Sequence, residues 1–387
     1  MASINSYRTS DSSRKITTYI FNNSTYRFAF DFGSNDIPLN DVKKLDYIFI
    51  THEHSDHFMG LYNFEYAEAL LESKCKIYAS NVTKDLINAI FENVIRVDLD
   101  DRSTKKIRDL LKKITGVLFY EKYELKKGVY FKIFPSGHTF GSSMIYLYDK
   151  DCKILYTGDV DYSDDDSDRQ YQLELNENEH VDYIIADGTY LDSEQFKDEE
   201  LTQIRDNILN KKHNKFFCRP EKIIFFSKKL ISMNKLKDKY CVVFSSEFKW
   251  YLEILKKYNY DPFIVDKIVL ELDGYYLPEN RKPLRVSSKR TEKQTSVTSL
   301  VGLHIGFMDF AYFLQQFDPS KTKVLIGHYN QGKEKDILQT FNLSTYTSDY
   351  KVRVLKDGEL ELWLAKNITS FYSNMTKLIC LLRLTAK

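Results

Sequence analysis

Thr51-His52-Glu53-His54-Ser55-Asp56-His57 follows directly on the short run Asp46-Tyr47-Ile48-Phe49-Ile50. The apolar run has the texture of a strand buried on both faces, so it delivers the chain straight from a sheet into the histidine-rich segment. His52, His54, Asp56 and His57 put four potential metal ligands into six residues. Only 8 histidines occur in 387 residues, which sets this cluster apart from a chance surface grouping. In an extended segment His-x-His places both imidazoles on one side, and the Asp-His that follows turns a second pair toward an adjacent point. Imidazole nitrogen suits zinc, and a carboxylate can bind or bridge a second ion. Two ions a few Å apart can then share one hydroxide. Glu53, between two ligands, is expected to face solvent or a supporting partner instead of a metal.

Working outward, the segment from Ile16 to Phe32 reads as strands rich in Thr, Tyr, Phe and Ile around an Asn22-Asn23-Ser24 turn, ending in Asp31-Phe32-Gly33. After the histidines, helical spacing runs from Leu61 to Leu71 and from Val82 to Val94, with a strand from Lys76 to Ala79 between them. Strand-like runs return at Val129 to Phe134, Ser143 to Tyr148, Lys153 to Tyr156 and Val181 to Ile185. Alternation of this kind defines an α/β class. Two turns in this stretch carry further candidate ligands. Pro135-Ser136-Gly137-His138-Thr139-Phe140-Gly141 holds one histidine between two glycines that permit a tight turn. Leu155-Tyr156-Thr157-Gly158-Asp159 ends an apolar strand with a carboxylate placed to bridge two ions. The following Asp164-Asp165-Asp166 run is expected to be a solvated loop.

Asp31-x-Gly33, the His-x-His-x-Asp-His loop, the isolated His138 and Thr157-Gly158-Asp159, in this order, resemble the metallo-β-lactamase superfamily. That resemblance spans residues 16–163. By it, Asp31 supports the histidine loop through hydrogen bonds and binds no metal. The second half narrows the likeness. Ala186-Asp187-Gly188-Thr189-Tyr190 resembles the acidic motif that precedes the inserted cap of the β-CASP nucleases. Leu303-His304-Ile305 and Gly327-His328-Tyr329 resemble their two later histidine motifs, separated by a helical run from Phe310 to Phe317 that Asp318-Pro319 stops. His304 departs from the usual surroundings, since Leu303 and Ile305 replace the small and polar neighbours found there. The implied fold is an αββα sandwich with an inserted α/β cap. The implied domains are residues 1–190 and 301–387 for the sandwich and 191–300 for the cap.

The same resemblance implies roles. His52, His54, His138 and Asp159 would bind one divalent ion, and Asp56, His57, Asp159 and His328 the other, zinc being the expected metal. Asp56, Asp187 and His304 form the implied catalytic set. Hydroxide generated at the metal pair would attack phosphorus, and His304, paired with Asp187, would protonate the leaving oxygen. The implied substrate is single-stranded nucleic acid. His328 and the Ser136-Gly137-His138-Thr139 form are more similar to the RNA-processing branch, such as ribonuclease J and the pre-mRNA cleavage endonucleases, than to the DNA cross-link repair branch, which carries Val in the last motif. Tyr329-Asn330 faintly resembles that Val-Asn, so RNA is favoured and DNA stays open. Two other readings remain: a hydrolase of a thioester, lactone or β-lactam on the same fold, and a non-catalytic scaffold.

Composition bounds these readings. Apolar residues at 43% and charged residues at 29% describe a folded globular chain, and 56 basic against 55 acidic side chains leave a net charge of +1. A nucleic-acid groove must therefore be local. Candidates are Lys211, Lys212, Lys228, Lys229 and Lys235 to Lys239, then Arg281, Lys282, Arg285, Lys289, Arg290 and Lys293 in a segment, residues 278–298, read as the exit linker of the cap. A solvated basic face would have the same sequence. The inserted region carries its own strand and helix signals at residues 222–226, 241–244 and 250–257. Five scattered cysteines without a C-x-x-C pair suggest neither a disulfide framework nor a zinc knuckle, and fit a reducing, intracellular compartment. The first twenty residues, among them Ser6, Arg8, Asp11, Arg14 and Lys15, are polar and lack the apolar run of a signal peptide. No stretch is apolar enough to span a membrane. Leu378 to Leu382 is read as part of a packed final helix.

Overall fold

The computed structural model describes residues 2–8, 15–22, 26–161, 172–175, 179–191, 215–217, 220, 223, 240–260, 269–271, 282–287, 295–296, 305–356 and 358–362. His304, Asp164 to Asp166, the candidate lysines Lys211, Lys212, Lys228, Lys229 and Lys235 to Lys239, and the tail from Leu378 to Leu382 lie outside the described residues.

Taken in chain order, the elements are β1 (Ala2–Arg8), β2 (Ile16–Asn22), β3 (Arg27–Phe30), α1 (Leu39–Val42), β4 (Tyr47–Ile50), α2 (Ser55–Phe58), α3 (Phe64–Glu72), β5 (Lys76–Ser80), α4 (Asn81–Ile90), α5 (Asp101–Leu111) and β6 (Ile114–Val117). There follow β7 (Tyr123–Lys126), β8 (Val129–Pro135), β9 (Ser143–Tyr148), β10 (Lys153–Tyr156), β11 (Tyr183–Asp187), β12 (Lys215–Phe217), β13 (Tyr240–Ser245), α6 (Lys249–Lys257), β14 (Val269–Glu271), β15 (Lys282–Ser287) and β16 (Thr295–Ser296). The last elements are α7 (Phe307–Leu314), β17 (Lys323–Gly327), α8 (Glu334–Leu343), β18 (Lys351–Val354) and β19 (Gly358–Leu362).

Two compact units emerge from the packing: residues 1–84, 100–193 and 304–387, and residues 85–99 with 194–303. The first holds two seven-stranded sheets, ordered β19-β1-β2-β3-β4-β5-β6 and β18-β17-β11-β10-β9-β8-β7. Both are mixed. From β3 to β6 the first sheet is parallel, and from β10 through β11 and β17 to β18 so is the second. Their inner faces meet in one aromatic core, where Phe49 lies 5.0 Å from Phe131 and Phe30 lies 5.1 Å from Tyr156, ring centre to ring centre. Sequence texture follows position in the sheets. Tyr47-Ile48-Phe49-Ile50 is buried at every residue because β4 is flanked by β3 and β5, whereas β8 buries Val129, Phe131 and Ile133 and leaves Tyr130 and Lys132 half-buried between them.

Helix α3 starts at Asn63, whose carboxamide oxygen accepts from the backbone of Glu65 and Tyr66. Helix α5 starts at Asp100, capped through Ser103, and buries Ile107, Leu110 and Leu111 at helical spacing. The two helices pack together, and α8 packs on β18. These layers give the α/β sandwich expected from the sequence. Helix α3 begins later than the expected Leu61, after a tight turn at Met59–Tyr62, and α4 passes into a π-helical turn at Phe91–Ile95. Among the described residues no helix is long and apolar enough to cross a membrane.

The second unit holds a five-stranded, all-parallel sheet ordered β14-β13-β15-β12-β16. Here the expected exit linker at residues 278–298 is corrected: β15 and β16 both fall inside it, and β15 is an interior strand. Its basic residues drew the linker reading, while the alternation of Leu284, Arg285 and Val286 is what a strand needs. Residues 85–99 join this unit through Asp85, whose carboxylate accepts from Lys257 at 2.5 Å and from the Tyr258 hydroxyl at 2.6 Å.

Candidate metal centre

The site assembles at the carboxyl ends of strands, where parallel sheets present their loops. Thr51 to His57 follow β4. Strands β8, β10, β11 and β17 run in one direction through the second sheet, and at or just beyond their ends stand His138, Asp159, Asp187 and His328.

Two glycines permit the approach of the chains. A Cβ on Gly33 would lie 1.6 Å from the carbonyl oxygen of Asp56, so the Asp-x-Gly turn lets β3 pass directly under the histidine loop. Gly158 has φ +56°, and a Cβ there would also press on Thr51. Asp31 and His328 adopt the left-handed region without being glycine, at φ +57° and +48°. Such residues cost about 1–3 kcal/mol each and persist where their surroundings over-determine them.

Those surroundings are visible. The fully buried Asp31 carboxylate accepts from the Thr51 backbone at 2.7 Å, the Thr51 hydroxyl at 2.9 Å and the Tyr156 hydroxyl at 2.6 Å, and meets His57 Nδ1 at 2.7 Å. The Thr51 hydroxyl gives its one proton to Asp31 and therefore accepts from His52 Nδ1, 3.0 Å away. This network orients both rings: Nδ1 of His52 and His57 carries hydrogen, and Nε2 of each faces the site, with a lone pair on the neutral His52. Both Nε2 atoms are buried and make no hydrogen bond. Burial and the neighbouring His57 push the His52 imidazole well below the ordinary histidine pKa, so it is neutral. For His57, burial acts in the same direction but Asp159, Asp31 and Asp56 outweigh it and push the pKa up. The backbone N–H of His328 donates to the Tyr19 hydroxyl at 2.8 Å, and its carbonyl accepts from Thr189 at 2.9 Å.

The ring nitrogens converge on Asp159. One carboxylate oxygen of this buried residue lies 3.6 Å from His52 Nε2, 3.4 Å from His138 Nε2 and 3.4 Å from His57 Nε2, and the other lies 3.3 Å from His328 Nε2. His138 Nε2 also faces His54 Nδ1 at 3.0 Å, and Asp56 reaches to 3.7 Å from His57 and 3.8 Å from His328. Ligand-capable atoms fall within 4.8 Å of one another in three overlapping groups: His52, His54, His138 and Asp159; Asp56, His57 and His328; Asp159, Asp187 and His328. The donors are imidazoles and carboxylates, a set suited to zinc and similar divalent ions, and the bare Nε2 atoms of His52 and His57 are what a cation would satisfy. The residues therefore fit bound divalent metal.

Asp187, expected to partner His304, is buried beside Asp159 and His328, where it accepts from the backbone of Thr189 at 2.9 Å and Val160 at 3.4 Å. Glu53 faces the partner side of its expectation: buried, it accepts from the Thr139 hydroxyl at 2.8 Å and ties the His138 turn to the histidine loop. Sequence reading did not single out Tyr19, Tyr156 or Lys15. The two tyrosines look like strand core residues, and Lys15 looks like any polar residue near the amino terminus; its Nζ stands 3.3 Å from His328 Nε2.

Facing mixed sheets with histidine and aspartate loops at their carboxyl edge define a metallo-β-lactamase fold, and residues 40–184 match the metallo-beta-lactamase superfamily. The chain carries a domain of that superfamily. It is 26% identical over 157 residues to an RNase J-like protein of Methanocaldococcus jannaschii, a likeness covering 41% of this chain and 34% of the relative. It is 28% identical over 149 residues to cleavage and polyadenylation specificity factor subunit 3-II of Arabidopsis thaliana, covering 37% and 23%. The chain thus spans about a third or less of the length of these relatives, which lie on the RNA-processing side of the resemblance. A solved structure of a protein of unknown function from Enterococcus faecalis superposes on 93% of this chain and 100% of its own with a TM-score of 0.50 at 13% identity, a likeness of fold.

Proposed function

We propose that the chain is a metal-dependent phosphodiesterase that hydrolyses nucleic acid, RNA in preference to DNA. The observation that carries this reading is the Asp159 carboxylate set within 3.6 Å of four imidazoles drawn from three separate stretches of chain. His52, His54 and His138 with Asp159 would hold one divalent cation, and Asp56, His57 and His328 with Asp159 the other. When bound, such a pair acidifies water and stabilises charge developing on phosphorus. Asp31 holds the protons of His52 and His57 on the side away from the site. Asp187 orients, and His304 donates, the proton that the leaving oxygen needs. The preference for RNA is supported by the names of the relatives, an RNase J-like protein and a cleavage and polyadenylation specificity factor subunit.

The test is to incubate zinc-loaded protein with end-labelled single-stranded RNA and DNA, with and without a 5′-phosphate, alongside nitrocefin and an acyl thioester. The expected result is a product ladder from RNA that a chelator and Asp159→Ala both abolish, the variant also losing bound metal. Hydrolysis confined to nitrocefin or the thioester would replace this reading with a small-molecule hydrolase. Inert, metal-free protein would leave only a scaffold.

A further inference from the structure

We infer that Lys15, from the chain entering β2, is a phosphate ligand of this site; the inference rests on the phosphodiesterase reading above. Its ammonium lies 3.3 Å from His328 Nε2 and 3.5 Å from the Thr189 hydroxyl oxygen. Thr189 has already given its own proton to the His328 carbonyl, so its oxygen is an acceptor for Lys15. An ammonium carries three donors. Two meet these acceptors, and among the described residues the third meets none. No carboxylate of the described residues forms an ion pair with Lys15, although Asp56 and Asp159 both lie close to the same His328 nitrogen.

His328 Nε2 cannot give one lone pair to both Lys15 and a cation. A divalent ion held by Asp56, His57 and His328 would take that nitrogen and would leave Lys15 with two donors to spare. A compact point charge with donors to spare suits the oxygens of a phosphate. The charges agree: Asp31, Asp56, Asp159 and Asp187 balance two divalent cations, and Lys15 is the positive charge left over. Exposure agrees as well: Asp159, His57 and His138 are buried, while Asp56 keeps 20% exposure and His54 and Lys15 are half-buried, so Lys15 belongs to the solvent-reachable side of the cluster.

The experiment loads the full chain stoichiometrically with zinc, measures its metal content, and titrates uridine 5′-monophosphate into it, into Lys15→Met and into Lys15→Arg by calorimetry. Lys15→Met is expected to keep its metal and its melting temperature and to bind the nucleotide about tenfold more weakly, the scale of one charge-assisted hydrogen bond, with Lys15→Arg recovering part of the loss. Equal nucleotide affinity in Lys15→Met overturns the role of Lys15 while leaving the metal site intact. A changed zinc content in Lys15→Met overturns it too, by assigning Lys15 to the cation. If the unaltered chain takes up no zinc, the phosphodiesterase reading falls and this inference falls with it.

Discussion

Asp31 is the residue on which the geometry of the centre turns, because one carboxylate sets the tautomers of two imidazoles and anchors Thr51 and Tyr156. Asp31→Asn keeps the shape and removes the charge. It is expected to weaken zinc affinity by roughly 10- to 100-fold, the usual effect of losing a partner that orients a metal ligand, as read by competition with a chromogenic chelator. Unchanged affinity would show that the histidines are held by packing alone. His304→Ala carries the complementary expectation: loss of RNA cleavage with both metals retained, checked by metal analysis beside the cleavage assay, and full activity would remove His304 from the mechanism. What could be read at this scale depended on contiguity. His52 to His57 declare themselves because four ligands sit together, and His138 and Asp159 because glycines flank them. Lys15 and Tyr19 do not, since their contacts with His328 cross more than three hundred residues and no local pattern distinguishes them.

At the level of elements, strands that end in ligands were legible and their neighbours less so. The apolar runs of β4, β10 and β11 are short, buried on both faces and followed at once by chemistry, so composition identified them. Residues 2–8 and 282–287 were not read as strands because their polar and basic content resembled loop sequence; pairing with β2 and β19 in one case, and with β12 and β13 in the other, decides their conformation. The turn after β3 shows how an element controls the site. Gly33→Ala would drive a methyl into the Asp56 carbonyl, and relief requires β3 and α2 to part. The variant is expected to lose about 3 kcal/mol or more of stability by urea unfolding and to bind zinc less tightly, as over-packing of a rigid contact does. A variant with unaltered midpoint and zinc affinity would mean that the turn is softer than its close approach implies.

For the whole molecule, the buried centre links stability to metal. Asp159 and Asp187 stand together among converging imidazoles, two buried carboxylates whose charge a cation would offset. A ligand present at a thousand times its dissociation constant stabilises the folded state by about 4 kcal/mol. For a unit of this size that corresponds to roughly 8 °C or more in melting temperature. Chelation should therefore lower the melting temperature of the first unit and zinc restore it, followed by calorimetry. Full loss of metal with no change in melting would mean that the carboxylates are satisfied without it. The two-unit organisation was foreshadowed by the change of sequence texture beyond residue 190. The membership of residues 85–99 in the second unit was not, because it rests on Asp85 meeting Lys257 and Tyr258.

The order of strands also dictates an order of assembly. In the first sheet β19 closes against β1, and in the second β17 lies between β11 and β18, so neither sheet is complete until residues 323–362 have been made. A nascent chain already exposes His52, His54, His138 and Asp159 while His328 is still untranslated. The strands that complete both sheets thus pair across long stretches of the chain, and such distant pairings make folding slow.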